Sequence, residues 1–229
     1  MADWQITPLG DAALVVHCGG RIDETTFQRV QAVSRAIGRQ GVRGASDQVP
    51  AFTTVTLYYD PLQTTFAEIS AAVQRLLENV DIAEIAPPRR VTIPVCYGGE
   101  FGCDLEFVAE HSRLTENEVI ELHSSVDYRV HMLGFAPGFA YLGGLSVRLA
   151  TPRRASPRLR APAGSVGIGG AQTGIYPLEM PGGWQIIGRT PRTLLRLQEE
   201  PPTLLRAGDS VRFQPLTPQQ FRAWEEPPP

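Results

Sequence analysis

The chain has 229 residues and a formal net charge of −3 at pH 7, so its overall charge does not favour nucleic acid or an anionic membrane as a partner. All 21 basic residues are arginine, which excludes sites that need a lysine side chain, such as a P-loop or a Schiff base. No apolar run reaches the roughly 20 residues of a membrane-spanning helix, and residues 1–4 do not resemble a secretory signal. We therefore expect a cytoplasmic protein. The three cysteines lack the spacing of zinc ligands, so we expect no metal site.

The first part of the chain has a β-α-β-α pattern, typical of a small α/β domain. Asp23 is placed to cap a helix that reaches about Arg39, and Thr65 with Glu68 forms a capping box that begins a second helix. The remaining segments are assigned from apolar and β-branched runs or from polarity. They are a strand over residues 12–18, a polar loop over 41–50 and a strand over 53–59.

The composition changes at Ala86, Pro87 and Pro88. Three of the 20 prolines precede Ala86 and 17 follow it. Such a change is typical of a boundary between folding units. The sequence therefore predicts two domains, over residues 1–86 and 87–229.

The second part is predicted to be a β domain. Twelve of the 22 glycines lie between Gly134 and Gly188, among short apolar runs, which indicates short strands joined by tight turns. Thr115 and Thr217 are placed to cap two helices. The predicted strands cover residues 90–95, 129–133, 166–168, 184–188, 193–197 and 211–214, and residues 227–229 are predicted to be disordered.

Several long motifs in this part resemble the family of 5-oxoprolinase B subunits, also called KipI or allophanate hydrolase subunit 1. They are GFAPGFAYLGGL, LATPRRASPR, PAGSVGIGGAQTGIYPLEMPGGWQIIGRTP and LRAGDSVRF, with PVCYGGEFG and LHSSVDYRV before them. The resemblance implies an α+β fold, in which a small N-terminal α/β domain is followed by a cyclophilin-like β-barrel domain. It also implies a complex with two partner proteins, the KipA-like C subunit (similar to allophanate hydrolase subunit 2) and the A subunit of 5-oxoprolinase. This complex converts 5-oxo-L-proline to L-glutamate with ATP.

The strongest candidate binding feature is a run of five arginines between residues 148 and 160, which contains no acidic residue and is stiffened by prolines. Arginine pairs with carboxylates and phosphates, although a solvated face is the usual explanation of such a run. An acidic partner surface would fit too. We predict an anion-binding cleft that involves Arg153, Arg154, Gln172, Thr173 and Arg189. His123 is the candidate catalytic residue, with a structural role at its helix end as the alternative.

Two other functions remain open at this stage. The KipI name implies a regulatory protein that inhibits a sensor histidine kinase, and the third name implies subunit 1 of an allophanate hydrolase-like complex. The serine–lysine pair of an amidase cannot exist in a chain without lysine. A nucleotide-binding motif is also missing from the sequence, so ATP is expected to act at the level of the complex, on a small-molecule substrate.

Overall fold

The computed structural model describes residues 4–82 and 87–225. The chain divides into two compact units, Met1–Pro87 and Pro88–Pro229. Ala86, on which the predicted boundary partly falls, lies outside the described residues, as do residues 227–229, for which disorder was predicted. Whether each unit folds independently stays a prediction.

The N-terminal unit is an antiparallel sheet with two helices. Its strands have the order β1-β2-β4-β3, and each neighbouring pair is antiparallel. The elements are β1 (Gln5–Pro8), β2 (Ala13–His17), α1 (Glu24–Gln40), β3 (Ala45–Pro50), β4 (Thr54–Tyr59) and α2 (Phe66–Leu77). Apolar residues of both helices, such as Val33 and Val73, form one core with Leu14 and Leu57 of the sheet. This core explains the amphipathic pattern of the two helices.

The caps of this unit were predicted correctly. The Asp23 side chain accepts a hydrogen bond from the Thr26 amide, and Thr65 and Glu68 form a reciprocal capping box. The predicted loop over residues 41–50 is wrong, because β3 occupies its second half. β3 is an edge strand in which every residue is exposed or only partly buried, so its composition resembles that of a loop.

The second unit is built around a closed barrel. The strand order is β10-β7-β6-β13-β5-β12-β9, and β9 pairs with β10 to close the barrel. β13 runs parallel to β5, whereas the other neighbouring strands are antiparallel. The barrel strands are β5 (Arg90–Tyr97), β6 (Asp127–Leu133), β7 (Ala140–Gly143), β9 (Ser165–Gly169), β10 (Gln172–Ile175), β12 (Gln185–Arg189) and β13 (Ser210–Leu216).

Helices and a small second sheet surround the barrel. The helices are α3 (Leu105–Ser112), α4 (Glu116–Ser124) and α5 (Pro218–Arg222), and the second sheet pairs β8 (Arg158–Ala161) with β11 (Met180–Gly182). The capping boxes at Thr115 and Thr217 are confirmed. The barrel core is filled by fully buried side chains such as Tyr128, Ile168 and Phe213. The expected fold class is therefore confirmed.

One predicted strand of this unit is wrong, and one helix was missed. Residues 193–197 form no strand, and only an isolated bridge joins Leu195 to Thr203. Leu194 is buried there, so its apolar pattern reflects a packed loop. α3 was missed because it is short and the side chain of its cap residue, Asp104, makes no hydrogen bond to the helix.

Candidate functional site

A small pocket opens in the barrel unit, between the glycine-rich segments and the arginine run. Its volume is about 170 Å³. We call it the aromatic–arginine pocket. It is lined by Phe135, Phe139, Tyr141, Arg153, Arg154, Pro157, Tyr176, Gly182, Gly183 and Trp184.

Phe139 holds the aromatic wall of the pocket together. Its ring makes edge-to-face contacts with Phe135 at 5.6 Å between centroids, with Tyr176 at 5.3 Å and with Trp184 at 5.6 Å. Phe139 is 1% exposed and Trp184 is 5% exposed, so the wall belongs to the packed interior. Edge-to-face geometry is favourable for aromatic rings, and we infer a rigid wall.

Glycines let these rings approach the backbone. A Cβ atom added at Gly169 would lie 2.6 Å from the Trp184 ring, and one at Gly182 would lie 2.5 Å from the Tyr176 hydroxyl. Contacts this short are incompatible with any side chain. The high glycine content of this segment therefore follows partly from the packing of the pocket wall.

Two arginines of the run form the polar side of the pocket. The Arg153 guanidinium lies over the Trp184 ring, 5.8 Å from its centroid, a cation–π arrangement. The Arg154 amide donates to the Gly183 carbonyl at 2.7 Å, and its Nη1 lies 3.4 Å from Oδ1 of Asp104. The backbone amide and the guanidinium of Arg154 are thus both held by hydrogen bonds.

Asp104 connects the residues around Arg154 through hydrogen bonds. Its side chain is 8% exposed and accepts hydrogen bonds from the Ile186 amide at 2.6 Å and from Nη2 of Arg158. Nη1 of Arg158 donates in turn to the Trp184 carbonyl at 3.1 Å. A buried carboxylate requires such partners, and here they join the start of α3 to β12 and to the pocket wall.

The electrostatic balance of the site is positive. Arg153 and Arg154 line the pocket, and the Asp104 carboxylate that contacts Arg154 also pairs with Arg158. Burial raises the pKa of Tyr176, and it also raises the pKa of Tyr141, against a smaller opposing effect of the Arg153 charge. Both phenols are therefore neutral at physiological pH, and the site is suited to a small anion with an apolar part.

The structure separates the predicted site residues. Arg153 and Arg154 line the pocket, but His123 and Thr173 lie together inside the barrel, each 0% exposed. The His123 ring bonds the Tyr97 hydroxyl at 2.8 Å and Thr173 Oγ1 at 2.9 Å, and Thr173 donates to the Gly167 carbonyl at 3.0 Å. Burial lowers the pKa of His123 to about 3. Both nitrogens of this enclosed ring are hydrogen-bonded, which is the geometry expected for the structural alternative, and a catalytic role of His123 stays a prediction.

Arg189 and Gln172 are not among the described residues that line the pocket. Nε of Arg189 donates to the Ala163 carbonyl at 2.9 Å, and Gln172 begins β10 in a partly exposed position. Of the five predicted residues, this pocket therefore contains Arg153 and Arg154 and not the other three.

Sequence reasoning missed the aromatic wall and Asp104. The rings were visible in GFAPGFAY and PGGW, where they alternate with glycines, and this pattern could have suggested a binding wall. Asp104 carried no comparable signal, since its partners are 50 or more residues away in the sequence.

Two features are absent from residues 4–82 and 87–225, a metal-binding cluster and a membrane-spanning helix. In that part of the chain, no cluster of three or more histidine, cysteine, aspartate or glutamate side chains is arranged to hold a metal ion. No helix there combines the length and the apolar character needed to cross a membrane.

Known proteins resemble this chain over nearly its whole length. The model of the family described as "Carboxyltransferase domain, subdomain C and D" matches residues 4–205. The 5-oxoprolinase B subunit of Bacillus subtilis (strain 168) is 47% identical, over 97% of this chain and 97% of the relative. The protein of the same name from Escherichia coli O157:H7 is 42% identical, over 90% of this chain and 94% of its own length.

A solved structure adds a longer relative. The crystal structure of TTHA0988 is 36% identical with a TM-score of 0.80, and it matches 94% of this chain but only 41% of its own. The same fold thus occurs in that protein within a longer polypeptide.

Proposed function

The chain belongs to the family of 5-oxoprolinase B subunits, and we propose that it acts in an ATP-dependent complex that hydrolyses 5-oxo-L-proline to L-glutamate. The observation that carries this proposal is the 47% identity over 97% of both chains. Its two partner proteins are the C subunit, a homologous KipA-like barrel protein, and the A subunit. The reaction takes place in the cytoplasm.

The chemistry explains why ATP is needed. A lactam is a stable amide, and transfer of a phosphoryl group from ATP to its oxygen gives an activated carbon and ADP. Water then adds to this carbon and the ring C–N bond breaks, with the nitrogen leaving as the amine, which gives γ-glutamyl phosphate. A second water hydrolyses this acyl phosphate to glutamate and phosphate. The aromatic–arginine pocket is smaller than the roughly 300 Å³ at which sites for drug-sized ligands begin. The chain also has no lysine-containing phosphate loop, so we place the ATP site in one of the partner proteins.

Within this chain we propose Arg153 and Arg154 as the residues that hold an anion. Both line the pocket, and the Asp104 network fixes Arg154. Arginine suits this role because its guanidinium can donate two parallel hydrogen bonds to a carboxylate.

Reconstitution tests the proposed function. The purified chain is assayed for ATP-dependent glutamate release from 5-oxo-L-proline, alone and with both partner proteins, and ATP binding is measured by calorimetry. We expect turnover only with all three proteins and no tight ATP binding by this chain alone. Turnover by the lone chain would contradict the proposal that all three proteins are required. Inactivity of the assembled complex would contradict the proposed reaction.

A further inference from the structure

We propose that the aromatic–arginine pocket binds one carboxylate carried on a small flat ring, and that Phe135 is the residue that covers this ligand. The identity of the ring as 5-oxo-L-proline rests on the proposed function, whereas the class of ligand rests on the pocket itself. A volume of about 170 Å³ admits a single small ring and excludes a nucleotide.

The arginines select for a carboxylate. Asp104 is occupied by Arg158 and by the Ile186 amide, so the 3.4 Å contact with Arg154 uses only one of that guanidinium's donors. The Arg153 guanidinium lies over the Trp184 ring, 5.8 Å from its centroid, and a cation–π contact of this kind uses none of its N–H groups as a hydrogen-bond donor to an oxygen. Two adjacent cations thus present donors at one side of a small pocket.

The aromatic lining selects for a flat apolar surface. It includes Trp184, Tyr141 and Tyr176, and the two phenols are neutral because burial raises their pKa values. A planar lactam ring offers two flat faces to such a wall. Free acetate lacks this surface, and a nucleotide exceeds the volume.

Phe135 is held at the pocket by an unusual backbone conformation. Its φ angle is +69°, in the left-handed region that a bulky side chain rarely adopts. Its side chain is nevertheless 67% exposed, so burial does not account for the conformation. Strain of this kind concentrates at ligand sites. We assign it to the placement of the Phe135 ring at the edge of the pocket, in contact with Phe139.

Calorimetric titration of the full chain tests the carboxylate contact. The probes are 5-oxo-L-proline and pyrrolidin-2-one, which is the same ring without the carboxylate. Replacement Arg154→Ala should weaken binding of 5-oxo-L-proline about tenfold or more and leave pyrrolidin-2-one unchanged, and Arg154→Lys should recover part of the loss. The matched control is Arg160→Ala, because Arg160 belongs to the same run but is 81% exposed and pairs with Glu179.

The results for the two probes decide whether Arg154 contacts a carboxylate. Equal losses for both probes, or no loss for either, would overturn the carboxylate assignment. If the lone chain binds neither probe measurably, the KM for 5-oxo-L-proline is measured in the complex with both partner proteins. Arg154→Ala must then raise KM relative to Arg160→Ala, and an unchanged KM overturns the proposal. Arginine-dependent binding together with an inactive complex would retain this site and refute the proposed function.

Phe135 is tested by comparing glycine with alanine. Both replacements remove the ring, but only glycine relieves the positive φ. We expect Phe135→Gly to melt at a higher temperature than Phe135→Ala, and both to weaken binding of 5-oxo-L-proline to the same extent. If Phe135 has only a structural role, the variant with the lower melting temperature should also lose more binding of 5-oxo-L-proline. That result would overturn the assignment of Phe135.

Discussion

The burial of Asp104 and its partners determines how much stability the protein should lose when Asp104 is replaced. Asp104 and Arg158 have side chains that are 8% and 17% exposed, and Asp104 also accepts from the Ile186 amide. Replacement Asp104→Asn keeps the shape and one acceptor oxygen but leaves the Arg158 cation without its counter-charge. Removal of one partner from a buried ion pair costs about 3–5 kcal/mol. Since the retained oxygen still serves Ile186, we expect a loss of about 2–4 kcal/mol in the free energy of unfolding.

A second ion pair in the same unit provides the control. Asp127 and Arg212 pair at 2.7 Å, but their side chains are 43% and 45% exposed. Exposed pairs contribute little to stability, so Asp127→Asn should lower the free energy of unfolding much less than Asp104→Asn. Both pairs join an aspartate to an arginine, and Asp104 differs in its burial and in the additional bond from the Ile186 amide.

Urea unfolding followed by tryptophan fluorescence measures the effect. Three tryptophans are present, and replacement of Trp4 and Trp224 by phenylalanine leaves Trp184 as the reporter of the barrel. The double variant Asp104→Asn/Arg158→Met should recover part of the loss, since it removes the uncompensated charge. A loss for Asp104→Asn no larger than that for Asp127→Asn would refute the reasoning.

Three further predictions concern the core, one glycine and the domain division. Burial holds the pKa of His123 at about 3, below its ordinary 6.5. As the pH falls, the unfolded chain therefore binds a proton at this residue before the folded chain does. The free energy of unfolding should decrease between about pH 6.5 and 3, by about 1.4 kcal/mol per pH unit. Urea unfolding at pH 7 and 5 should show a smaller decrease for His123→Gln, and an equal one would contradict this. At Gly102 an added Cβ would lie 2.1 Å from the Ile187 carbonyl oxygen; Gly102→Ala should therefore cost about 1–3 kcal/mol, whereas Gly20→Ala, with open space around it, should change the melting temperature little. Residues 88–229 should express as a folded β-rich unit, and an unfolded fragment by circular dichroism would show that the two units depend on each other.

Local signals in the sequence predicted the helices well. The capping boxes at Thr65, Thr115 and Thr217 each place a hydroxyl and a carboxylate or amide three residues apart, and such a motif acts on its own turn of helix regardless of distant contacts. Strand β3 was missed because its polar residues lie at a sheet edge, where composition does not distinguish strand from loop.

The site was only partly predictable because its contacts are distant in sequence. The arginine run drew attention to Arg153 and Arg154, and both line the pocket; their role as anion ligands stays a prediction. The acid that compensates part of this charge is Asp104, some 50 residues earlier. For the same reason the sequence left His123 open between a catalytic and a structural role, since its contacts with Thr173 and Tyr97 form only in the folded barrel.

The parallel pairing of β5 with β13 also bears on synthesis. Arg90 pairs with Ser210 and Cys96 with Leu216, while β12 reaches only Cys96 and Tyr97. Most of β5 therefore leaves the ribosome 120 residues before its partner, from position 90 to position 210, and its backbone donors and acceptors stay unpaired in the meantime. Unpaired strands of this kind promote association between chains. A polypeptide that stops before Ser210 cannot close the barrel, so premature termination should yield aggregates and chaperone-bound chains instead of a smaller folded domain.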